Sequence, residues 1–270
     1  MASMSVPPTI IVFDSGLGGL TVYREVVKVR PDAKFVYALD DAFFPYGRRS
    51  EPVLVARVLE VMGEWIAAHR PDLVVIACNT ASTLVLSQLR ERFQVPFVGT
   101  VPAIKPACAG SKTKLVSVLG TEATVSREYT RALIRDFADG CAVTLVGSQR
   151  LAELAEAALK SEPVADEALA AELAPCFVEA DGGRTDTVVL ACTHYPLLLE
   201  RLQKLAPWPV NFLDPAPAIA RRVAALLGPA EPGSAAPPGR AVFSSGQAPS
   251  PALAAALGRF GLETGLAVGV

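Results

Sequence analysis

Short apolar runs rich in β-branched residues alternate along the chain with longer segments of helical periodicity. The runs with the length and composition of buried strands are Thr9–Phe13, Phe35–Leu39, Leu73–Ala77, Phe97–Val98, Leu115–Leu119, Val143–Val146 and Val188–Ala191. The helical patterns are Leu20–Val29, Pro52–Arg70, Thr83–Phe93, Val125–Asp139, Leu151–Asp181, Leu197–Leu205 and Ala216–Leu227. Apolar strands that each lead into a helix are typical of parallel sheets with helices on both faces, so the pattern predicts an α/β fold.

The chain also contains an internal repeat. The segment PDLVVIACNTASTLVLSQL aligns with TDTVVLACTHYPLLLERLQ, which pairs Asp72 with Asp186 and Cys78 with Cys192. The similarity continues downstream, where VPFVGTVPAI meets VNFLDPAPAI, and upstream, where TIIVFDSGLGGLTV loosely matches KLVSVLGTEATV. Two buried strands can share Val and Ile by chance, but the shared Asp, Ala-Cys and Pro-Ala-Ile favour two related halves.

We therefore predict two similar, doubly wound α/β domains related by a pseudo-twofold axis, with the functional site in the cleft between them. The first domain comprises residues 1–99 with the returning segment 212–270, and the second comprises residues 100–211. In the returning segment, the Pro-, Gly- and Ala-rich stretch at 228–240 predicts a surface linker. A strand over AVFSS and a helix over PALAAALGRF follow it.

Composition narrows the class of protein. The 270 residues include 51% hydrophobic residues, and 25 Lys and Arg stand against 27 Asp and Glu. Because no basic cluster is present, nucleic acid is not an expected partner. No apolar stretch is long enough to cross a membrane and no signal-peptide pattern is present, so we expect a cytoplasmic protein that acts on a small molecule. The five cysteines include no Cys-x-x-Cys pair, which disfavours a disulfide framework.

Two of the cysteines occupy equivalent places, each at the end of a buried strand and just before a helix. Parallel α/β sheets hold their ligands at this edge, so Cys78 and Cys192 are expected to face one cleft from opposite sides. A helix N-terminus favours a thiolate, which predicts a lowered thiol pKa. Two facing thiols suit a racemase, because one removes the Cα proton while the other protonates the opposite face. Cys108, Cys141 and Cys176 are expected to be small apolar core residues.

Polar residues beside the strand ends supply further candidates. Asp14 follows the first strand and His194 comes shortly after Cys192, so we expect them to exchange protons with the thiols. The glycines of DSGLGG at Asp14–Gly19 let backbone N–H groups approach an anion, for which a substrate carboxylate is the expected guest. His69, at a predicted helix end, is expected to be structural.

Weaker candidates come from a turn and from hydroxyls. Tyr46 and Gly47 lie in a Pro-Tyr-Gly turn after the second strand, although Pro-x-Gly is commonly only a turn. Thr121 and Thr124 stand at the start of a helix, where threonine is as often a simple cap.

Other chemistries stay open at this point. Cys78, Cys192 and His194 have the ligand types of a zinc site, although paired ligand spacing is missing. A cysteine nucleophile with His194 as its base would suit an amidase. Neither alternative explains why the thiol is duplicated. A non-catalytic binding protein on the same fold is a further alternative, because a fold alone does not imply a function.

Five ordered motifs resemble those of the bacterial glutamate racemases: DSGLGGLTV, ALDDAFFPYG, ACNTAS, LGTEATV and ACTHYPLL. The resemblance spans nearly the whole chain. It implies interconversion of L- and D-glutamate by a homodimer with no cofactor, neither pyridoxal phosphate nor metal, which supplies D-glutamate for peptidoglycan. It also implies that Cys78 and Cys192 are the catalytic thiols, with Asp14 and His194 as auxiliary acid/base groups. The implied substrate contacts are Asp14, Ser15, Tyr46, Gly47, Asn79, Thr80, Thr121, Thr124, Thr193 and His194.

Two segments depart from the family pattern. Where such enzymes usually carry Gly-Asp-Thr-Ala-Arg before Pro-Tyr-Gly, this chain has LDDAF, which keeps an acid at Asp40, adds Asp41 and replaces the arginine. The usual Ala-Cys-Pro segment is replaced by Gly-Ser-Gln, which leaves Glu153 and Glu156 as alternative counterparts of a family glutamate. The nearest alternative enzyme is a related two-thiol racemase that acts on aspartate or another acidic substrate, because pocket shape sets the choice of substrate side chain.

Overall fold

The computed structural model describes residues 6–180, 182–230 and 237–264, and strands alternate with helices along them. The strands are β1 (Thr9–Asp14), β2 (Lys34–Leu39), β3 (Leu73–Ile76), β4 (Phe97–Gly99), β5 (Leu115–Thr121), β6 (Ala142–Ser148), β7 (Glu179–Ala180), β8 (Gly183–Arg184), β9 (Thr187–Ala191), β10 (Asn211–Leu213), β11 (Gly239–Phe243) and β12 (Leu262–Thr264). The helices are α1 (Leu20–Val29), α2 (Glu51–His69), α3 (Asn79–Arg92), α4 (Ile104–Gly110), α5 (Glu122–Ser126), α6 (Glu128–Phe137), α7 (Leu151–Leu159), α8 (Asp166–Leu173), α9 (Leu199–Leu205), α10 (Ala216–Leu227) and α11 (Pro251–Gly258).

The strands build two main parallel sheets that repeat one strand order. The first sheet has the order β12-β11-β2-β1-β3-β4, and the second has the order β6-β5-β9-β10. The run β2-β1-β3-β4 of the first sheet therefore matches the second sheet strand by strand. A short antiparallel hairpin of β7 and β8 stands apart from both. The predicted α/β fold with two similar halves is confirmed.

The aspartate shared by the two repeats anchors the first strand of each sheet. Asp72 accepts a hydrogen bond of 2.8 Å from the backbone N–H of Thr9, at the start of β1. Asp186 accepts hydrogen bonds of 2.7 Å and 3.0 Å from the N–H groups of Lys112 and Thr113, just before β5. The repeat in the sequence thus reflects an equivalent contact in each half.

Helices cover both faces of each sheet, because the central strands are apolar on both sides and need burial. On the first sheet, α1, α10 and α11 pack on one face while α2 and α3 pack on the other. On the second sheet, α7, α8 and α9 cover one face while α4 and α6 cover the other. The carboxyl ends of both sheets meet at a cleft, where the Thr193 hydroxyl lies 3.4 Å from the carboxylate of Asp14.

The chain crosses from one sheet to the other twice. After β4 it enters the second sheet, and after β10, which still pairs with β9, it returns to the first sheet as α10 and β11. Leu213 therefore still belongs to the second sheet. The division into residues 1–99 plus 212–270 and residues 100–211 stays a prediction of domain organisation. The predicted linker at 228–240 lies partly outside the described residues.

The predicted helix Val125–Asp139 is wrong, because this segment forms two helices, α5 and α6. Arg127 at their junction has an extended backbone, with φ of −72° and ψ of 146°. Thr121 caps α5 by accepting a hydrogen bond from the N–H of Thr124. The apolar periodicity runs through the break, which is why the sequence pattern did not reveal it.

The predicted helix Leu151–Asp181 is also wrong in extent. Its first part forms α7, after which Ser161 has a positive φ of 66° and Pro163 removes a backbone donor. Helix α8, a 3-10 turn at Ala174–Cys176 and β7 follow. Asp181 lies outside the described residues.

Candidate active site

Cys78 stands between β3 and α3 and is buried, with 6% of its surface exposed. The neighbouring strand β1 brings two polar side chains against it. The Ser15 hydroxyl lies 3.8 Å from the Cys78 sulfur, and the negative charge of the Asp14 carboxylate acts on the thiol. Because β1 pairs with β3, the sheet order itself places an acid beside the first thiol.

The surroundings of Cys78 raise the pKa of its thiol, so the expectation of a lowered pKa is wrong for this residue. Burial of the sulfur is the largest cause, and the negative charge of Asp14 acts in the same direction. The N–H of Ala81 in the first turn of α3 favours the thiolate, as a helix N-terminus should, but it is outweighed. Cys78 is therefore a neutral thiol in this state.

Asp14 is fully buried and held by the loop that follows β1. Its carboxylate accepts hydrogen bonds from the backbone N–H groups of Ser15 (2.8 Å) and Gly19 (2.5 Å). Burial raises the pKa of Asp14, although the charge of His194 and the two backbone bonds oppose this effect. A carboxyl group with a raised pKa can exchange a proton with a thiol closer to neutral pH.

Cys192 follows β9 in the equivalent position and has an imidazole as its partner. Its sulfur lies 3.7 Å from His194 Nδ1, while His194 Nε2 lies 3.0 Å from Oε1 of Glu156. Burial alone would lower the pKa of His194, but the hydrogen bonds to Cys192 and Glu156 and the charge of Asp14 raise it well above its usual value. The surroundings of His194 therefore favour its imidazolium form, with a sulfur at one ring nitrogen and a carboxylate at the other.

Glu156 on α7 completes this group. Its carboxylate also accepts a hydrogen bond of 2.8 Å from the backbone N–H of Leu17 and one of 3.2 Å from Lys160 Nζ. Burial would raise the pKa of Glu156, but the hydrogen bond and charge of His194 lower it below its ordinary value. Of the two glutamates left open by the sequence, Glu156 is the one that contacts an acid/base candidate.

Glu153 lies instead at the rim of the cleft, where it pairs with Arg48 at 2.7 Å. A cavity of about 390 Å³ opens beside this pair and reaches Gly47 and Thr121. The cavity therefore connects the predicted site residues with the surface.

Two glycines of the DSGLGG loop are required by residues of the other half. A Cβ on Gly18 would lie 2.6 Å from both Cγ and the backbone N of His194, and a Cβ on Gly16 would collide with the Glu156 carboxylate. The N–H of Leu17 binds that carboxylate. The N–H of Leu17 is therefore not available to a substrate carboxylate in this state, and an anion site at the loop stays a prediction.

Asn79 and Thr80 form the first turn of α3 and face the second half. The Thr80 hydroxyl lies 3.1 Å from the Thr121 hydroxyl and 3.3 Å from that of Thr124. Both polar side-chain atoms of Asn79 are buried and have no hydrogen-bond partner among the described residues. Because an unpaired buried amide is costly, this side chain marks a place for a polar ligand group.

Tyr46 is buried, and its hydroxyl donates to Asp40 at 2.5 Å. Arg57 on α2 donates to the same carboxylate, with Nη2 at 2.7 Å from Oδ1, and stacks over Phe43 at 4.8 Å from the ring centroid. The chain thus brings a guanidinium to this corner from α2.

Asp41, the second acid of this segment, contacts the returning part of the chain. It accepts hydrogen bonds from the N–H (3.0 Å) and the hydroxyl (2.6 Å) of Ser245, just after β11. Its contacts are therefore structural.

The structure brings all the sequence-predicted site residues to this cleft, and their roles stay predictions. Sequence reasoning did not single out Leu17, Lys160 or Phe44, whose ring lies 5.7 Å from that of His194. The Phe-Phe-Pro run before Tyr46 was the available signal for Phe44, but Lys160 had none, because it ends an ordinary charged helix.

The other cysteines and His69 lie where they were expected. Cys108 and Cys176 are buried and Cys141 is half-buried, all in apolar clusters, and His69 ends α2. No group of three His, Cys, Asp or Glu side chains in the described ranges could hold a metal ion, so the zinc alternative gains no support. No helix in that part of the chain is long and apolar enough to span a membrane.

Comparisons with known proteins point to one family. A family profile described as Asp/Glu/Hydantoin racemase matches residues 17–223. The glutamate racemase of Brucella canis is 58% identical over 219 residues, which cover 81% of this chain and 79% of that protein. The glutamate racemase of Brucella anthropi is 58% identical over 231 residues, which cover 85% of this chain and 83% of that protein.

Solved structures agree with these sequence matches. The crystal structure of Escherichia coli glutamate racemase, in complex with L-glutamate and the activator UDP-MurNAc-ala, superposes with a TM-score of 0.86 at 43% identity, covering 96% of this chain and 97% of that one. Glutamate racemase from Thermus thermophilus, in complex with β-chloro-D-alanine, superposes with a TM-score of 0.71 at 29% identity, covering 96% of this chain and 95% of that one.

Proposed function

We propose that this chain, which belongs to the Asp/Glu/hydantoin racemase family, interconverts L- and D-glutamate by proton transfer between Cα and two cysteine thiols. Family membership makes the protein an isomerase. Glutamate as the substrate is supported by the names of the relatives and by the L-glutamate bound in the E. coli structure. The observation that carries the mechanism is the pairing of each thiol with its own acid/base group, Cys78 with Asp14 and Cys192 with His194.

In one direction, Cys78 first gives its proton to Asp14 and becomes a thiolate. The thiolate then takes the α-proton, so that the Cα–H bond breaks, an S–H bond forms and the electron pair delocalises into the substrate carboxylate. The His194 imidazolium returns a proton from Nδ1 to the Cys192 sulfur, and Cys192 delivers it to the opposite face of Cα while the S–H electron pair stays on sulfur. The product is the mirror image of the substrate.

The other direction uses the same atoms with exchanged roles. Cys192 starts as a thiolate, because its proton is held by His194 as an imidazolium. The thiolate abstracts the α-proton of the opposite enantiomer, so that the Cα–H bond breaks and an S–H bond forms, and Cys78 protonates Cα. A near-symmetric pair of acid/base sites suits this reaction, because substrate and product differ only in handedness. Glu156 holds the imidazole in place for this exchange through the 3.0 Å contact with Nε2.

The substrate is proposed to bind between the first turn of α3 and the loops of the second half. Its polar groups would meet Asp14, Ser15, Tyr46, Gly47, Asn79, Thr80, Thr121, Thr124, Thr193 and His194. The unpartnered amide of Asn79 supports this placement most directly. We further propose that the enzyme is a cytoplasmic homodimer that needs neither pyridoxal phosphate nor metal and supplies D-glutamate for peptidoglycan synthesis.

Circular dichroism of each glutamate enantiomer tests the function. The protein is stripped of metal, kept reduced, and incubated separately with L- and D-glutamate without pyridoxal phosphate. We expect both optical signals to decay to zero. Persistent signals from both enantiomers with a folded protein would contradict glutamate racemisation, and parallel incubation with L- and D-aspartate would then test the alternative substrate.

A further inference from the structure

Arg127 is a buried cation that joins the two halves beside Cys78. It lies between α5 and α6 of the second half, and 5% of its side chain is exposed. Its guanidinium donates to the backbone carbonyl of Thr80 and, at 3.0 Å, to the hydroxyl of Thr83, both on α3 of the first half. Its carboxylate partner Glu51, at 3.2 Å, is 61% exposed, so water screens that ion pair.

These contacts fix the turn that carries the Cys78 half of the site. The Thr83 hydroxyl donates to the carbonyl of Asn79 at 3.0 Å, so it links the guanidinium to the first residue of α3. The same turn carries the unpartnered amide of Asn79 and the backbone N–H of Ala81, which lowers the pKa of Cys78. A change at Arg127 is therefore expected to affect the surroundings of one thiol.

The positive charge of Arg127 also affects the Cys78 thiol. The titratable groups whose charges interact with Cys78 include Asp14, Tyr37, Tyr46, Cys192 and Arg127. Of these groups Arg127 is the cation, and it keeps its proton at neutral pH. A nearby positive charge favours a thiolate, whereas the carboxylate of Asp14 disfavours it. For Cys192, the imidazole of His194 is the neighbouring group that can carry a positive charge and stabilise the thiolate.

We propose that Arg127 is a positioning residue for the proton transfers of Cys78. It holds the first turn of α3 across the two halves, and its charge stabilises the Cys78 thiolate. When the S–H bond of Cys78 breaks, the proton goes to Asp14 or to Cα and the electron pair stays on sulfur. The positive charge of Arg127 then stabilises the negative charge on that sulfur. The inference rests on the proposed function and deepens it by assigning a residue to one of the two thiols.

The test compares wild type with Arg127→Met, Arg127→Lys and the control Arg135→Met, which removes an exposed arginine of α6. Each protein receives α-deuterated L- and D-glutamate, because the isotope effect on kcat/KM reports α-proton removal by a different thiol for each enantiomer. We expect kcat to fall about 100-fold in Arg127→Met and about 10-fold in Arg127→Lys, with little change in KM.

The isotope effects separate this role from a purely structural one. If transfers at Cys78 become slower, the isotope effect rises for the enantiomer that Cys78 deprotonates and falls for the other. Parallel isotope effects for both enantiomers, or an Arg127→Met variant that behaves like Arg135→Met, would overturn the role of Arg127. If Arg127→Met does not fold, the same test is made with Arg127→Lys, for which we expect the isotope effects of the two enantiomers to change in opposite directions. A wild type that does not racemise glutamate would instead contradict the proposed function, and this role with it.

Discussion

The backbone N–H of Leu17 donates to the carboxylate of Glu156 across 2.8 Å, from the loop after β1 to helix α7 of the other half. The same oxygen, Oε1, lies 3.0 Å from Nε2 of His194. One carboxylate of the second half therefore binds the loop of the first half and also stabilises the positive charge of the imidazole beside Cys192. Four predictions about this network and its surroundings follow from the contacts.

Glu156→Gln is expected to lower the pKa of His194, because the substitution removes the negative charge that faces Nε2. The chain has two histidines, so NMR titration of the imidazole signals resolves both. His69, whose pKa burial lowers, lies at the end of α2 and serves as the internal control. An unchanged titration of His194 in the variant would contradict the pairing.

The same pair should stabilise the fold within a limited pH window. The pKa of His194 is raised by folding, so its contribution is complete below about pH 6.5 and is lost as pH rises through the folded value. The pKa of Glu156 is lowered by folding, so its contribution is complete above about pH 4.3 and is lost as pH falls through the folded value. Between these limits, Glu156→Gln should lower the free energy of unfolding by about 3 kcal/mol.

Urea unfolding of wild type and Glu156→Gln at several pH values measures this difference. A difference that stays constant from pH 4 to pH 9 would show that the ion pair does not contribute in the way its geometry indicates.

Gly18→Ala is expected to abolish turnover, because the added Cβ would lie 2.6 Å from the backbone N of His194. The two halves would have to move apart, and the imidazole would lose its position beside Cys192. Gly258→Ala is the matched control, since its Cβ would meet nothing within 4 Å at the end of α11. Kinetics with L-glutamate measure the effect, and wild-type kcat in Gly18→Ala would refute the close approach.

Asn79→Ala is expected to raise KM about 10-fold while the melting temperature stays unchanged. The amide makes no hydrogen bond within the described part of the protein, so its loss removes no hydrogen bond from the free enzyme, and relief of the unpaired amide offsets the lost packing. Asn211→Ala removes an exposed asparagine on β10 and is the control. A large fall in the melting temperature of Asn79→Ala with unchanged KM would mean that the amide is structural.

The sequence predicted the parts of this molecule that depend on local pattern. The strands around Cys78 and Cys192 are continuous apolar runs, and the repeated Asp and Cys made their equivalence visible. The break at Arg127 was missed because the apolar periodicity continues across it. Glu156 was left uncertain because Gly-Ser-Gln replaces the Ala-Cys-Pro segment that would have fixed the alignment of this helix. The raised pKa of Cys78 depends on burial depth, which no spacing in the sequence encodes.

The most direct test of the two-thiol account is racemisation by single Cys→Ser variants at positions 78 and 192. Cys141→Ser, at a half-buried position in a separate apolar cluster, is the control and should retain wild-type activity. Circular dichroism follows each enantiomer of glutamate, and isothermal titration follows substrate binding. The account predicts that Cys78→Ser and Cys192→Ser each lose turnover by at least about 100-fold while still binding glutamate. Racemisation by either variant at a rate close to wild type would contradict it.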